Sequence, residues 1–210
     1  MHIADGLLNL STCAATGTVS AGVLAYGVKK TKQELDEKQI PLLGVTAAFV
    51  FAAQMINFPV LPGTSGHLIG AVLIAVLLGP WTASIIMATV LAIQALFFGD
   101  GGIIALAANI FNMAIVSTFA GYYLYSVLSK FNKKLAIFTG AWAGVVLASL
   151  AAAVEIAFSG VLPLNKILLP LIGIHAVIGI GEGLITLVVI TYLEKVKANL
   201  NIKEEDPYHV

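Results

Sequence analysis

Arginine is absent from this chain of 210 residues, cysteine occurs once, and charged side chains make up only 10% of it. Each scarcity excludes something. Eleven lysines against eleven acids cancel to zero net charge, which leaves no basic footprint for a nucleic acid partner. A single thiol, Cys13, builds neither an internal disulfide nor a thiolate metal cluster, so it reads as a small packing residue in the first helix. No Walker phosphate loop, no His-Glu-x-x-His and no Gly-x-Ser-x-Gly occurs in the sequence. If the chain moves a solute uphill, the energy comes from elsewhere.

What the chain has in excess is hydrocarbon. With 59% hydrophobic residues and a mean hydropathy of +0.97 it is too apolar for a water-soluble globule and reads as a polytopic membrane protein. A bilayer core of roughly 30 Å calls for about 20 apolar helical residues. Seven such segments fall near residues 11–29, 41–57, 66–79, 82–98, 104–128, 135–158 and 167–193. The expected fold class is all-α: a transmembrane helix bundle of about seven spans, forming one domain over residues 1–198 with a short acidic tail over 199–210. Gly79-Pro80-Trp81 marks the break between the third and fourth segments, since proline ends a helix and tryptophan suits an interface.

The lysines orient the bundle, because short cytoplasmic loops retain positive charge. Lys29, Lys30, Lys32 and Lys38 follow the first span, Lys130, Lys133 and Lys134 follow the fifth, and Lys195, Lys197 and Lys203 follow the seventh. Only Lys166 falls in a loop of the opposite set. The amino terminus is therefore expected outside and the carboxyl terminus inside. The outer face then carries the first ten residues, the Gly- and Pro-rich stretch 57–66, the loop 99–103 and the loop 159–166.

Two outer residues stand out. His2 puts a terminal amine, an ionisable amide and an imidazole in one dipeptide, a set of three nitrogens able to chelate a divalent transition metal. The alternative is a histidine placed by chance in a disordered start. The chelate requires a retained Met1, which the bulk of His2 favours, and nothing marks a removable signal peptide. His67, at the head of the third segment, is available as a fourth nitrogen. A planar nitrogen set suits Ni(II) or Cu(II), admits Co(II) and disfavours tetrahedral zinc.

Asp5 and Asp100 are candidates to orient the imidazole or the amine; Asp100 reads equally as a turn residue in Asp-Gly-Gly. Polar residues within spans usually face a bundle interior, which singles out Gln54, Asn109, Asn112, Glu155, His175 and Glu182. His175 and Glu182, seven apart on one helix face, read as a support or relay for the site or as buried hydrogen-bonded packing. Glu155, near the outer end of its span, reads as a snorkelling residue. Small residues at Ala48 and Ala52 and around Ala105, Ala107 and Ala108 would let helices approach closely.

Four stretches in this order resemble a known family. They are Met1-His2-Ile3-x-Asp5-Gly6, then Pro62-Gly63-Thr64-Ser65-Gly66-His67-Leu68 running to Leu78-Gly79-Pro80, then Asp100-Gly101-Gly102 followed by Asn109 to Ala114, and last His175 to Glu182. Nearly the whole chain is similar to the substrate-binding (S) subunit of energy-coupling factor (ECF) nickel and cobalt transporters, the CbiM/NikM family. The resemblance implies a multi-pass subunit in a prokaryotic cell membrane that captures Ni(II), or next Co(II), as transported substrate. Its implied ligands are Met1, His2 and His67; Asp5, Ser65, Asp100, Asn112 and His175 are the candidates to hold them in place. Its implied partners are a transmembrane coupling subunit (the T component), a cytoplasmic ATPase pair (the A components) and a small accessory membrane subunit. No catalytic residue and no resident cofactor are implied. The competing readings are a membrane-embedded enzyme, a metal carrier or channel working without ATPases, and a related vitamin-binding subunit; the last leaves the Met-His start unexplained.

Overall fold

The computed structural model describes residues 1–35, 39–61 and 63–199. Lys38, Pro62, Lys203 and residues 200–210 of the expected tail lie outside them. The chain is mostly helical. In order it runs α1 (Leu10–Glu34), α2 (Ile40–Gln54), β1 (Phe58–Leu61), β2 (Thr64–Gly66), α3 (Ala71–Leu78), α4 (Pro80–Ile93), α5 (Leu106–Asn109), α6 (Thr118–Leu128), α7 (Lys133–Phe158) and α8 (Leu164–Asn199). A π-helical turn, Gln94–Phe98, extends α4, and a second, Ile110–Ser117, joins α5 to α6 into one continuous rod. Among the described residues four helical stretches are long and apolar enough to cross a membrane: Pro80–Phe98, Leu106–Leu128, Lys133–Phe158 and Leu164–Lys197.

Helix ends follow local chemistry. Asn9 caps α1 by accepting from Thr12 N at 2.8 Å, and Asn132 caps α7 by accepting from Leu135 N at 3.1 Å. Gly79, at φ 80°, stops α3 and lets Pro80 open α4 with no amide to satisfy. Trp81 then packs edge-on against Tyr26 and Phe119. The α6 and α7 backbones cross at Gly121 and Gly140, where a Cβ on either residue would press into the other's carbonyl oxygen at 2.7–2.8 Å. Small residues permit this contact, as they do where Gly17 of α1 meets Ala107.

A helix stands at each expected span, but the ends move. The third is only eight residues long, because residues 67–70 are not helical; His67 therefore precedes the helix it was expected to open. The loop expected at 159–166 is shorter, with Lys166 inside α8. The Gly- and Pro-rich stretch is an antiparallel hairpin, Phe58 opposite Gly66 and Pro59 opposite Ser65. The amino-terminal segment pairs with it through a single bridge: Ile3 stands opposite Thr64, Ala4 N donates to Gly63 O at 2.9 Å, and Ser65 N donates to His2 O at 3.2 Å. This small sheet sits at one end of the bundle. The lysines that end α1, follow α6, begin α7 and end α8 lie at the other, where Lys133 pairs with Glu194 at 2.9 Å and Thr31 meets Thr82 at 3.3 Å.

Candidate metal-binding site

The sheet pins the first three residues into the bundle. Ile3 N donates to Asn109 Oδ1 at 2.8 Å, and Asn109 Nδ2 donates back to Ile3 O at 3.0 Å, so one buried amide replaces a missing strand neighbour. Gly102 N also donates to Ile3 O, at 3.0 Å. A side chain at Gly102 would collide with Asp5, so glycine is what allows this loop to close on the terminus.

Held this way, the Met1 amino group is buried and contacts Nε2 of His67. His67 Nδ1 donates to Leu68 O at 2.7 Å, which sets the tautomer and leaves the Nε2 lone pair facing the amine. The His2 ring stacks on the His67 ring with centroids 4.6 Å apart. His2 N–H donates to Ser65 Oγ at 3.1 Å, and His2 Nδ1 stands 3.0 Å from Asp100 Oδ1. Neither ring nitrogen of His2 makes a well-aligned hydrogen bond.

Electrostatics favour neutral nitrogen. Burial drives the Met1 amine well below its ordinary value near 8, against the opposing charges of Asp100 and Glu182. Burial also lowers His2, with Asp100 pulling the other way. Burial would raise Asp100, but His2, the amine and Asn57 together hold it below the usual carboxylate value. An uncharged amine and imidazole keep the lone pairs that a metal needs. Among the described residues no three His, Cys, Asp or Glu side chains cluster at ligand spacing.

The other sequence candidates divide. Asp5 does not orient an imidazole: its carboxylate accepts from Ile103 N, Ile104 N and Ala105 N at 2.8–3.1 Å, closing the turn before α5. Asn112 makes its hydrogen bond away from the terminus, donating to Glu155 Oε2 at 2.7 Å; Glu155 is buried and does not snorkel. His175 donates from Nδ1 to Leu171 O at 2.8 Å within its own helix, with its ring near the Ser65 backbone. Glu182 is no relay partner for it. Its two oxygens accept from Ile69 N and Gly70 N, both at 2.6 Å, while Gln54 Nε2 donates to Ile69 O at 2.6 Å. The unwound stretch that carries His67 is thus held from α2 and α8.

Gln94 escaped the sequence reading. It is fully buried at the start of a π-turn, lies against the His2 imidazole, and accepts the Asp100 amide on its carbonyl at 3.1 Å. A glutamine inside the apolar run Leu91 to Leu96 was the available signal.

The apolar helical bundle is that of a multi-pass membrane protein, with the nitrogens of Met1, His2 and His67 gathered at one end. Residues 2–200 match the family model CbiM, described as the cobalt uptake substrate-specific transmembrane region, and the chain belongs to that family. It is 44% identical over 195 residues to an Archaeoglobus fulgidus protein named as a fused nickel transport protein, NikMN, covering 92% of this chain and 65% of that one. A Haloquadratum walsbyi protein named for metal transport is 40% identical over 202 residues, covering 95% and 93%. The crystal structure of a transition metal transporter superposes with a TM-score of 0.89 at 40% identity, covering 94% of each chain.

Proposed function

We propose that this chain is the substrate-capture subunit of an ATP-driven uptake transporter of the energy-coupling factor type, taking Ni(II) or Co(II). The observation that carries the reading is the Met1 amine meeting His67 Nε2 beneath the stacked ring of His2. With Met1 as the free amino terminus, the metal takes the amine, the His2 amide nitrogen, His2 Nδ1 and His67 Nε2. Metal binding releases to water the amide proton that Ser65 Oγ accepts, and His2 Nδ1, its ring proton shifted to Nε2, exchanges Asp100 for the ion. The planar nitrogen field suits a d⁸ ion, so nickel is the first choice and cobalt the second.

The hairpin end faces outward and the lysine end faces the cytoplasm of a prokaryotic cell, across seven spans. The sequence holds no phosphate loop of its own, and the family resemblance implies that the energy comes from a pair of cytoplasmic ATPases. They are coupled through a transmembrane partner and assisted by a small membrane subunit. Elemental analysis of purified protein with a native amino terminus tests the metal. The wild type is expected to hold one nickel or cobalt ion, and His2→Ala and His67→Ala none while remaining folded; full occupancy in either variant rejects the ligand set. Uptake by cells lacking any ATPase partner would reject the subunit role.

A further inference from the structure

The buried nitrogens are reached through a cleft of about 530 Å³ between the hairpin and the Asp100 loop, and its lining includes His2, Asn57, Ser65 and Asp100. A divalent ion with six waters of about 30 Å³ each fills roughly 180 Å³, so the cleft admits the hydrated ion. The site beneath admits only a stripped one, since the residues that would bind it are almost fully covered: Met1 is 1% exposed and His67 2%. Asp100 stands between the two environments. Its side chain is 13% exposed against 3% for His2, and its two oxygens face opposite ways: Oδ1 toward His2 Nδ1 at 3.0 Å, Oδ2 accepting from Asn57 Nδ2 at 2.9 Å. Among the described residues lining the cleft, Asp100 alone carries a formal negative charge.

We propose that Asp100 is the capture ligand of an outer subsite for the hydrated divalent cation, and that the Asn57 hydrogen bond latches it shut. The inference rests on the metal-binding reading above. An incoming ion takes the carboxylate in exchange for one water, which breaks the Asn57 bond and frees His2 Nδ1. The ion then sheds its remaining waters as it passes to the four nitrogens. A single anion at the mouth of a low-dielectric cleft raises the association rate of a cation more than it strengthens the final complex.

Stopped-flow mixing of purified protein, native at the amino terminus, with nickel chloride tests this, with dissociation followed into excess EDTA. Asp100→Asn is expected to slow association at least tenfold, to change dissociation less than threefold, and to abolish the fall of the association rate with added salt. Asn57→Ala, which leaves the carboxylate in place and untethered, is expected to speed association at least threefold. An Asp100→Asn association rate within twofold of wild type overturns the proposal, as does a loss carried by dissociation, which would make Asp100 only a support for the imidazole. An unchanged or slower rate in Asn57→Ala also overturns it, even if Asp100→Asn fails to fold. A wild-type protein that takes up no nickel overturns the metal reading itself, and this inference with it.

Discussion

The pair α7 and α8 and the segment from the hairpin to Gly70 belong to one bundle but satisfy their backbones in different ways. The long helices close their hydrogen bonds internally, and side chains are free to pack: Trp142 Nε1 donates to Ala176 O at 3.0 Å, and most of α8 faces outward. Residues 67–70 have no helical ladder. Their polar groups are met by Glu182, Gln54 and the ring of His67, each from a separate position in the sequence. Irregular backbone at such depth survives only when protein satisfies it. The comparison separates a scaffold that tolerates change from a site that does not.

The sharpest way to break that contrast is at the terminus. One glycine placed before Met1 moves the amine by about 3.5 Å, out of a position that is fully buried. Metal affinity is expected to fall roughly a thousandfold or more, by calorimetry, with helix content unchanged by circular dichroism. Acid comes next. The buried amine and His2 both resist protonation in the folded chain, so below their ordinary values the unfolded chain binds more protons and stability falls with pH. Metal binding adds to this by releasing protons, and affinity is expected to drop with decreasing pH by up to about tenfold per unit for each proton displaced. A pH-independent affinity between pH 8 and 5 would sink the ligand set.

Smaller effects sharpen the comparison. Glu182→Ala leaves two buried amides without acceptors and is expected to cost about 2–4 kcal/mol in unfolding measurements, whereas Glu182→Gln, keeping one carbonyl, costs about half. Leu169→Ala, on the same helix but 77% exposed, is expected to change stability by less than about 0.5 kcal/mol. Equal effects of the Glu182→Ala and Leu169→Ala changes would show that the loop tether contributes nothing.

The scaffold was legible because hydropathy over a span is a local property. The break at Gly79-Pro80, the packing of Cys13 in α1 and the small contacts of Ala107 were all readable from neighbouring residues. His2 and His67 stood out by residue type and the fold brings their rings together, and Asp100 was legible as a partner of an imidazole. Asp5 read as a support for the imidazole or the amine because it follows His2 closely in sequence, but a carboxylate turns toward whichever amides are unsatisfied in space, here those of residues 103–105. Glu182 read as a support or relay with His175 or as buried packing, and Gln54 only as a polar residue facing the bundle interior, since their partners lie 113 and 15 positions away.

The sequence by itself determined the membrane class, the helical rods, the gathering of lysines at one end and the presence of histidines in the segments that meet at the other, because each depends on residue type and short spacing. The tertiary structure alone decided that the amino-terminal segment pairs with the hairpin, that residues 67–70 unwind, and that Asp100 bridges His2 to Asn57. Those depend on which unsatisfied polar groups meet across the bundle, and a buried donor or acceptor takes whatever partner the fold brings within about 3 Å.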